Sequence, residues 1–441
     1  MSNPVLRRWE EEGHREGPAV FAASGETLRT WGDVSSEAVE HRGELCRGMG
    51  AVALQTGNHA SFPALLLACW QAGRAACLCE PELPEPVFER LAIRLGITVR
   101  VRVCGGAPVF QSTGCPAKSA SGIDLYKLTS GTVAEPEPIA FTAAQLLADA
   151  DQVCATMGLG REDRNFGVIS FAHSYGFSNL VTPLIACGIP MVVSTDPLPR
   201  AIQSGLASAR ASVLPAVPAI FRSLLACDGL PESLRLCISA GAPLDPGLGK
   251  AFHDRFGRKI HSFYGASECG GICYDASDGL PTAPGFVGQP LRGVTISCGA
   301  GPSKILVRSP AVGVRTPAGL FEPSDLLVRE AEGFRIVGRE SDILNIAGRK
   351  VSPGEVEGVI KTCAGVEDAV VCGVDDPARG QEICALIVGE AATSEIRRHC
   401  AEALPAWKIP RRMAFAPAIP VNSRGKTSRA AIADAFFSGS E

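Results

Sequence analysis

Lys259-Ile260-His261-Ser262-Phe263-Tyr264-Gly265-Ala266-Ser267-Glu268 opens as an apolar, strand-forming run and closes in small residues, a glycine and a carboxylate. Residues 259–264 read as a strand, and residues 265–268 read as a loop at its carboxyl end. Upstream the same pattern recurs. Residues 51–55, 165–170, 189–194, 211–215 and 234–240 are further strand candidates, and 62–73, 143–157 and 218–227 read as helices between them. Short apolar strands alternating with helices predict an α/β fold of mostly parallel sheets covered by helices. Ligands in such folds collect at loops leaving the carboxyl ends of strands.

The texture changes after about Ser277. Residues 281–323 are rich in Gly and Pro and carry short runs such as 304–308, which predict a small, antiparallel, β-barrel-like subdomain. From Arg339 onward, 356–361 and 394–404 read as helices and 368–373 and 382–388 as strands, an α+β module of roughly a hundred residues. The expected division is a large domain over 1–339 and a small one over 340–441.

Composition narrows the function classes. The chain has 441 residues, 46% hydrophobic and 20% charged, enough to build more than one core. A formal net charge of −4 without a run of Lys or Arg argues against nucleic acid as partner. No apolar stretch approaches the roughly twenty residues that span a bilayer, and the charged N-terminus lacks a secretory core. The seventeen cysteines are irregularly spaced, with no paired metal-ligand pattern. They read as buried apolar residues of a reducing compartment, so the expected location is cytoplasmic.

Four stretches carry chemistry. Leu128-Thr129-Ser130-Gly131-Thr132 follows a strand-like run, and hydroxyls around a glycine can wrap a phosphate. Tyr264 to Glu268 offers an aromatic face for a purine, the Ser267 hydroxyl and, in Glu268, a carboxylate for Mg²⁺. Asp325 and Arg339 can hold ribose hydroxyls or a phosphate. Lys426, in Ser423-Arg424-Gly425-Lys426, can bring a point charge to an α-phosphate. Each alone is better read as an ordinary turn, core tyrosine or solvated charge.

Together and in this order they resemble the adenylate-forming superfamily of acyl- and aryl-CoA synthetases, peptide-synthetase adenylation domains and luciferases. Thr129, Ser130, Gly131 and Thr132 match its phosphate loop, and Tyr264, Gly265, Ser267 and Glu268 its Tyr-Gly-x-Thr-Glu motif. Asp325 matches its ribose aspartate, Gly338-Arg339 the end of its large domain, 348–357 its Gly-x-x-[Ile/Val]-x-Pro-x-Glu-[Ile/Val]-Glu run, and Lys426 its catalytic lysine. Ser239-Ala240-Gly241-Ala242-Pro243 resembles the turn that frames the adenine, here through Gly241, Ala242 and Pro243. Residues 170–177 resemble the segment whose histidine, here His173, lies near the acyl group, with Tyr175 and Phe177 as further pocket candidates. The N-terminal region looks shorter than in long members of the family.

The resemblance implies two half-reactions: ATP and Mg²⁺ activate a carboxylic acid to acyl-AMP, and CoA or the phosphopantetheine of a carrier protein then takes the acyl group. Ser341 would be the hinge, with Gly348 and Lys350 facing the thiol. No carrier segment follows Lys426, so a carrier protein would be a separate partner. The pattern breaks after Thr132, where Val133-Ala134-Glu135-Pro136-Glu137 replaces Thr-Gly-x-Pro-Lys. Two carboxylates beside a triphosphate are adverse, and Lys127 is one candidate to offset them. The alternative reading is therefore a degenerate homologue that binds nucleotide or acyl ligand without turnover.

Overall fold

The computed structural model describes residues 3–12, 16–129, 136–314, 319–346, 349–376, 380–421 and 427–437. The chain forms two compact units, Met1–Ser297 with Leu306–Phe321, and Cys298–Ile305 with Glu322–Glu441. The architecture is α/β, with a large sheet-based N-terminal part and a small α+β C-terminal part.

In the first unit one sheet has the order Ala107–Ser112, Ile97–Cys104, Ala51–Gln55, Ala76–Leu78, Leu125–Leu128, Pro138–Phe141. Its four inner strands are parallel and its two edges antiparallel. A second run of strands has the order Gly270–Tyr274, Ile260–Ala266, Leu236–Ser239, Val213–Ala216, Asn165–Gly167, Met191–Val193, Pro18–Ala22, Thr27–Thr30. It too is parallel through the middle. Helix Phe62–Gln71 is buried from Phe62 to Trp70, as expected of a helix apolar on every side. It shares one core with Val52 and Leu54 of the first sheet and Val20 and Met191 of the second. Each such fully buried aliphatic side chain contributes about 1.5–3 kcal/mol.

Local chemistry sets the ends of the site-bearing elements. Helix Ala143–Met157 starts at a capping box in which Thr142 accepts from the Gln145 amide, and it ends at Gly158 in the left-handed conformation. The expected strands appear within a few residues of their anticipated ends, the usual uncertainty of boundaries.

In the second unit Asp325–Glu330 and Gly333–Arg339 form an antiparallel hairpin. Beyond it lies a mixed sheet built around Val366–Asp376 and Gly380–Gly389, with helices Pro353–Ile360, Thr393–Ala403 and Arg429–Phe437. Alternate residues of the edge strand face two cores: Ala369 and Val371 pack with Val356, Ile360 and Ile396, whereas Val370 and Cys372 pack with Ile432 and Phe437. Helix Pro353–Ile360 begins a turn earlier than the expected 356–361, because Pro353 occupies its first turn, where a missing N–H costs nothing. Among the described residues no helix is long and apolar enough to cross a membrane.

Candidate active site

The larger parallel sheet reverses its strand order once. Asn165–Gly167 pairs with Met191–Val193 on one side and with Val213–Ala216 on the other, after which Leu236–Ser239 and Ile260–Ala266 follow outward. Loops leaving the carboxyl ends at this reversal diverge and leave a crevice, the usual ligand position in parallel α/β sheets. Tyr175 spans it: its hydroxyl donates to the carbonyl of Ile238 at 2.8 Å and lies 3.4 Å from that of Ala216. Burial pushes the Tyr175 phenol well above its ordinary pKa, so it stays a neutral donor.

Two loops flank this crevice. Ser239 and Ser262 lie level in adjacent strands, and their buried hydroxyls have no hydrogen-bond partner among the described residues. Unmet buried donors at strand ends mark a place for a polar ligand. The next turn, through Gly241, Ala242 and Pro243, holds Gly241 at φ +86°, with only a Val217 methyl 3.5 Å from where a Cβ would stand. A flat ring has room to approach this backbone. Tyr264, itself buried, leads through Gly265 into the turn of Ser267 and Glu268, closed by the Cys269 amide donating to the Ala266 carbonyl at 3.2 Å.

The His173 segment is stapled from a distance. Asn58 donates to the carbonyls of Gly167 and Ile169 and accepts from the Phe171 amide. Ser170 donates to Glu80 at 2.9 Å, and His173 Nε2 lies 3.5 Å from the other Glu80 oxygen. His173 keeps 35% of its side chain exposed, whereas Phe177 is fully buried. Of the three expected pocket residues, His173 has side-chain surface to offer, Tyr175 is tied by its hydroxyl, and Phe177 lies inside the core. Glu80 and Asn58 escaped the sequence reading, since their roles depend on contacts about ninety and more residues away.

At the expected phosphate loop, Thr129 and Glu137 bond each other: the Thr129 amide donates to the Glu137 carbonyl, and the Glu137 amide donates to the Thr129 hydroxyl, both at 2.9 Å. Ser130, Gly131 and Thr132, like Val133, Ala134 and Glu135, lie outside the described residues. Glu137 is exposed, with Arg94 3.8 Å away, a surface pair of small energetic weight. Lys127 does not serve as the loop's compensating cation. Its side chain is 1% exposed and lies 3.9 Å from Asp149, deep in the core. The alternation that buries Leu125 also buries Lys127 on the same strand face.

In the second unit Asp325 and Arg339 face each other across the hairpin, with Arg339 Nε donating to Asp325 at 2.9 Å. Asp325 is nearly buried and Arg339 mostly exposed. Ser341 lies in the single turn Glu340–Asp342. Its side chain, that of Lys350, and Gly348 and Lys426 altogether lie outside the described residues. Arg429, three residues beyond Lys426, bonds both Glu357 oxygens, Asp342 and the Val371 carbonyl.

Comparison with known proteins decides the family. A model described as AMP-binding enzyme matches residues 117–298, and its companion, AMP-binding enzyme C-terminal domain, matches residues 355–426. The chain belongs to the adenylate-forming superfamily. Among its relatives, an uncharacterised acyl–CoA ligase of Bacillus subtilis, YhfT, is 30% identical over 237 residues, 50% of each chain. The 3,4-dihydroxybenzoate–[aryl-carrier protein] ligase of Bacillus anthracis is 25% identical over 69% of this chain and 72% of that one. The chain spans half to two thirds of the length of the first curated relatives it matches, 50% to 67%. The ATP-bound crystal structure of MatB from Rhodopseudomonas palustris shares the fold, with a TM-score of 0.83, 20% identity and 98% of each chain covered.

Proposed function

We propose that this protein activates a carboxylic acid with Mg·ATP and passes the acyl group to a thiol. One observation carries the reading: the His173 segment, the Gly241 turn and the Tyr264–Glu268 turn all follow strands of one parallel run on the same side of its strand-order reversal, with the unmet hydroxyls of Ser239 and Ser262 among them. Adenine would lie against the Gly241 turn and Tyr264, and Asp325 with Arg339 would hold the ribose. Among the described residues there is no cluster of three or more metal-ligating side chains. Mg²⁺ would arrive with the triphosphate and take one carboxylate, Glu268, from the protein.

In the first half-reaction a carboxylate oxygen attacks the α-phosphorus. The bond from that phosphorus to the bridging oxygen breaks, pyrophosphate leaves with the electron pair, and acyl-AMP remains. Lys426 would neutralise the oxygens gathered at phosphorus, a task of positioning and charge rather than covalent participation. In the second, a thiolate attacks the acyl carbon, forming the thioester as the acyl–phosphate bond breaks and AMP departs. A pivot at Ser341, between domains 1–339 and 340–441, would exchange Lys426 for the Gly348 and Lys350 side. The relatives are named for CoA in one case and an aryl carrier protein in the other, and both thiols are candidate acceptors here. The cytoplasm, with its ATP and reduced thiols, suits a chain of seventeen cysteines.

The test is carboxylate-dependent exchange of labelled pyrophosphate into ATP over a panel of acids. Exchange is expected with at least one acid, and Lys426→Ala should abolish it. ATP binding without exchange or AMP release across the whole panel would overturn the reading in favour of a non-catalytic binder.

A further inference from the structure

Lys127 and Asp149 are an ionic pair sealed inside the first unit, with side chains 1% and 3% exposed. The ammonium lies 3.9 Å from Asp149 Oδ2 and 3.5 Å from the Ser178 hydroxyl, and the Phe141 and Phe177 ring centroids lie 4.8 and 5.2 Å away. Asp149 in turn accepts from the Ser178 hydroxyl and, at 3.0 Å, from the Gly271 amide. An apolar pair of the same volume would commonly serve stability as well or better. What the ionic cluster supplies is direction: each bond fixes one atom against another, which apolar packing does not.

The chain segments that meet here are telling. Lys127 stands two residues before Thr129, where the phosphate loop begins. Gly271 stands three residues after Glu268. Ser178 stands five residues after His173, in a wide turn whose Thr182 amide reaches back to the Phe177 carbonyl. Such turns often adjoin functional sites. Asp149 presses so closely on the turn after Glu268 that a Cβ at Gly270, where φ is +70°, would lie 2.1 Å from its Oδ1.

We propose that Lys127, Asp149 and Ser178 form a positioning network that holds the strand end at Thr129, the Glu268 turn and the His173 segment in mutual register. The network touches no reactant. Its members act through the three segments, and the inference rests on the adenylating function proposed above. Burial lowers the Lys127 pKa while Asp149 opposes the change, which agrees with an ammonium that needs its partner.

The experiment compares wild type, Lys127→Met, the charge-free double variant Lys127→Met/Asp149→Leu, and Ser178→Ala. Each is measured for melting temperature, pyrophosphate exchange and ATP affinity. Lys127→Met strands a buried carboxylate and should lose melting temperature. The double variant should regain it while its kcat for exchange stays about ten- to a hundredfold low, the range expected when reacting groups are held slightly out of place. Ser178→Ala, which keeps both charges, should lower kcat with the KM for the acid unchanged. Recovery of kcat together with melting temperature in the double variant, or a wild-type kcat in Ser178→Ala, would overturn the proposal and leave a purely stabilising cluster. A wild type that exchanges with no acid would overturn the adenylating function instead. ATP affinity then reads the network, a weakened value in the double variant supporting it and an unchanged one refuting it.

Discussion

Replacing Arg429 by Met should loosen one side of the small unit. Among the described residues Val366–Asp376 is an edge strand, paired only with Gly380–Gly389, so its outward backbone groups need partners from elsewhere. At Val371 these are supplied by side chains: Glu357 accepts the amide at 2.7 Å, and Arg429 donates to the carbonyl at 2.6 Å. The guanidinium also grips both Glu357 oxygens and lies 3.3 Å from Asp342. Removing it leaves a 14%-exposed carboxylate without its cation and a backbone carbonyl without its donor. Bonds to charged groups weigh about 1.5–3 kcal/mol, but Glu357 keeps the Val371 amide and Arg429 is 29% exposed, which holds the loss to about 2–3 kcal/mol. Hydrogen exchange is the suitable assay, since a chain of two units need not unfold in one step. A loss of about 2 kcal/mol should speed amide exchange in 366–376 and 353–360 roughly thirtyfold. Protection unchanged in both segments would refute this account, as would an Arg429→Met effect undiminished in a Glu357→Gln background.

Gly176→Ala should destabilise the first unit by about 1–3 kcal/mol and impair exchange activity, because a Cβ there would lie 2.0 Å from the Ser170 carbonyl oxygen in the turn that carries His173. Thermal melts paired with pyrophosphate exchange would check it, and a fully active, fully stable variant would show that the turn can shift freely. Burial lowers the pKa of His41, His59 and His261 below the ordinary 6.5. The unfolded chain therefore takes up protons first as pH falls, so their contribution is complete above about pH 6.5 and is lost as pH drops through the folded values. Melting temperature should fall on acidification from neutrality, and replacing His261 by Gln should flatten that fall.

How far the sequence could be read depends on which forces are local. Helix Ala143–Met157 is legible to the residue, because Thr142 with Gln145 and then Gly158 write both ends into the chain. The turns that follow the strands are legible too, since glycine and hydroxyl clusters after apolar runs mark loops. Lys127 and Phe177 mislead for one shared reason: both stand beside recognisable site segments, and proximity along the chain is not proximity to ligand. The corrective signal is present. Period-two alternation puts Lys127 on the face of buried Leu125, and helical spacing puts Asp149 between buried Leu146 and Val153. A lysine on a buried strand face and an aspartate on a buried helix face imply one another, because neither charge is tolerable alone. Glu357 and Arg429 repeat the pattern in the small unit, one in the family's helix run and the other just past its catalytic lysine. In both units, then, the residues that would meet substrate can be named from motifs, whereas those that hold them are charges on faces that periodicity marks as buried.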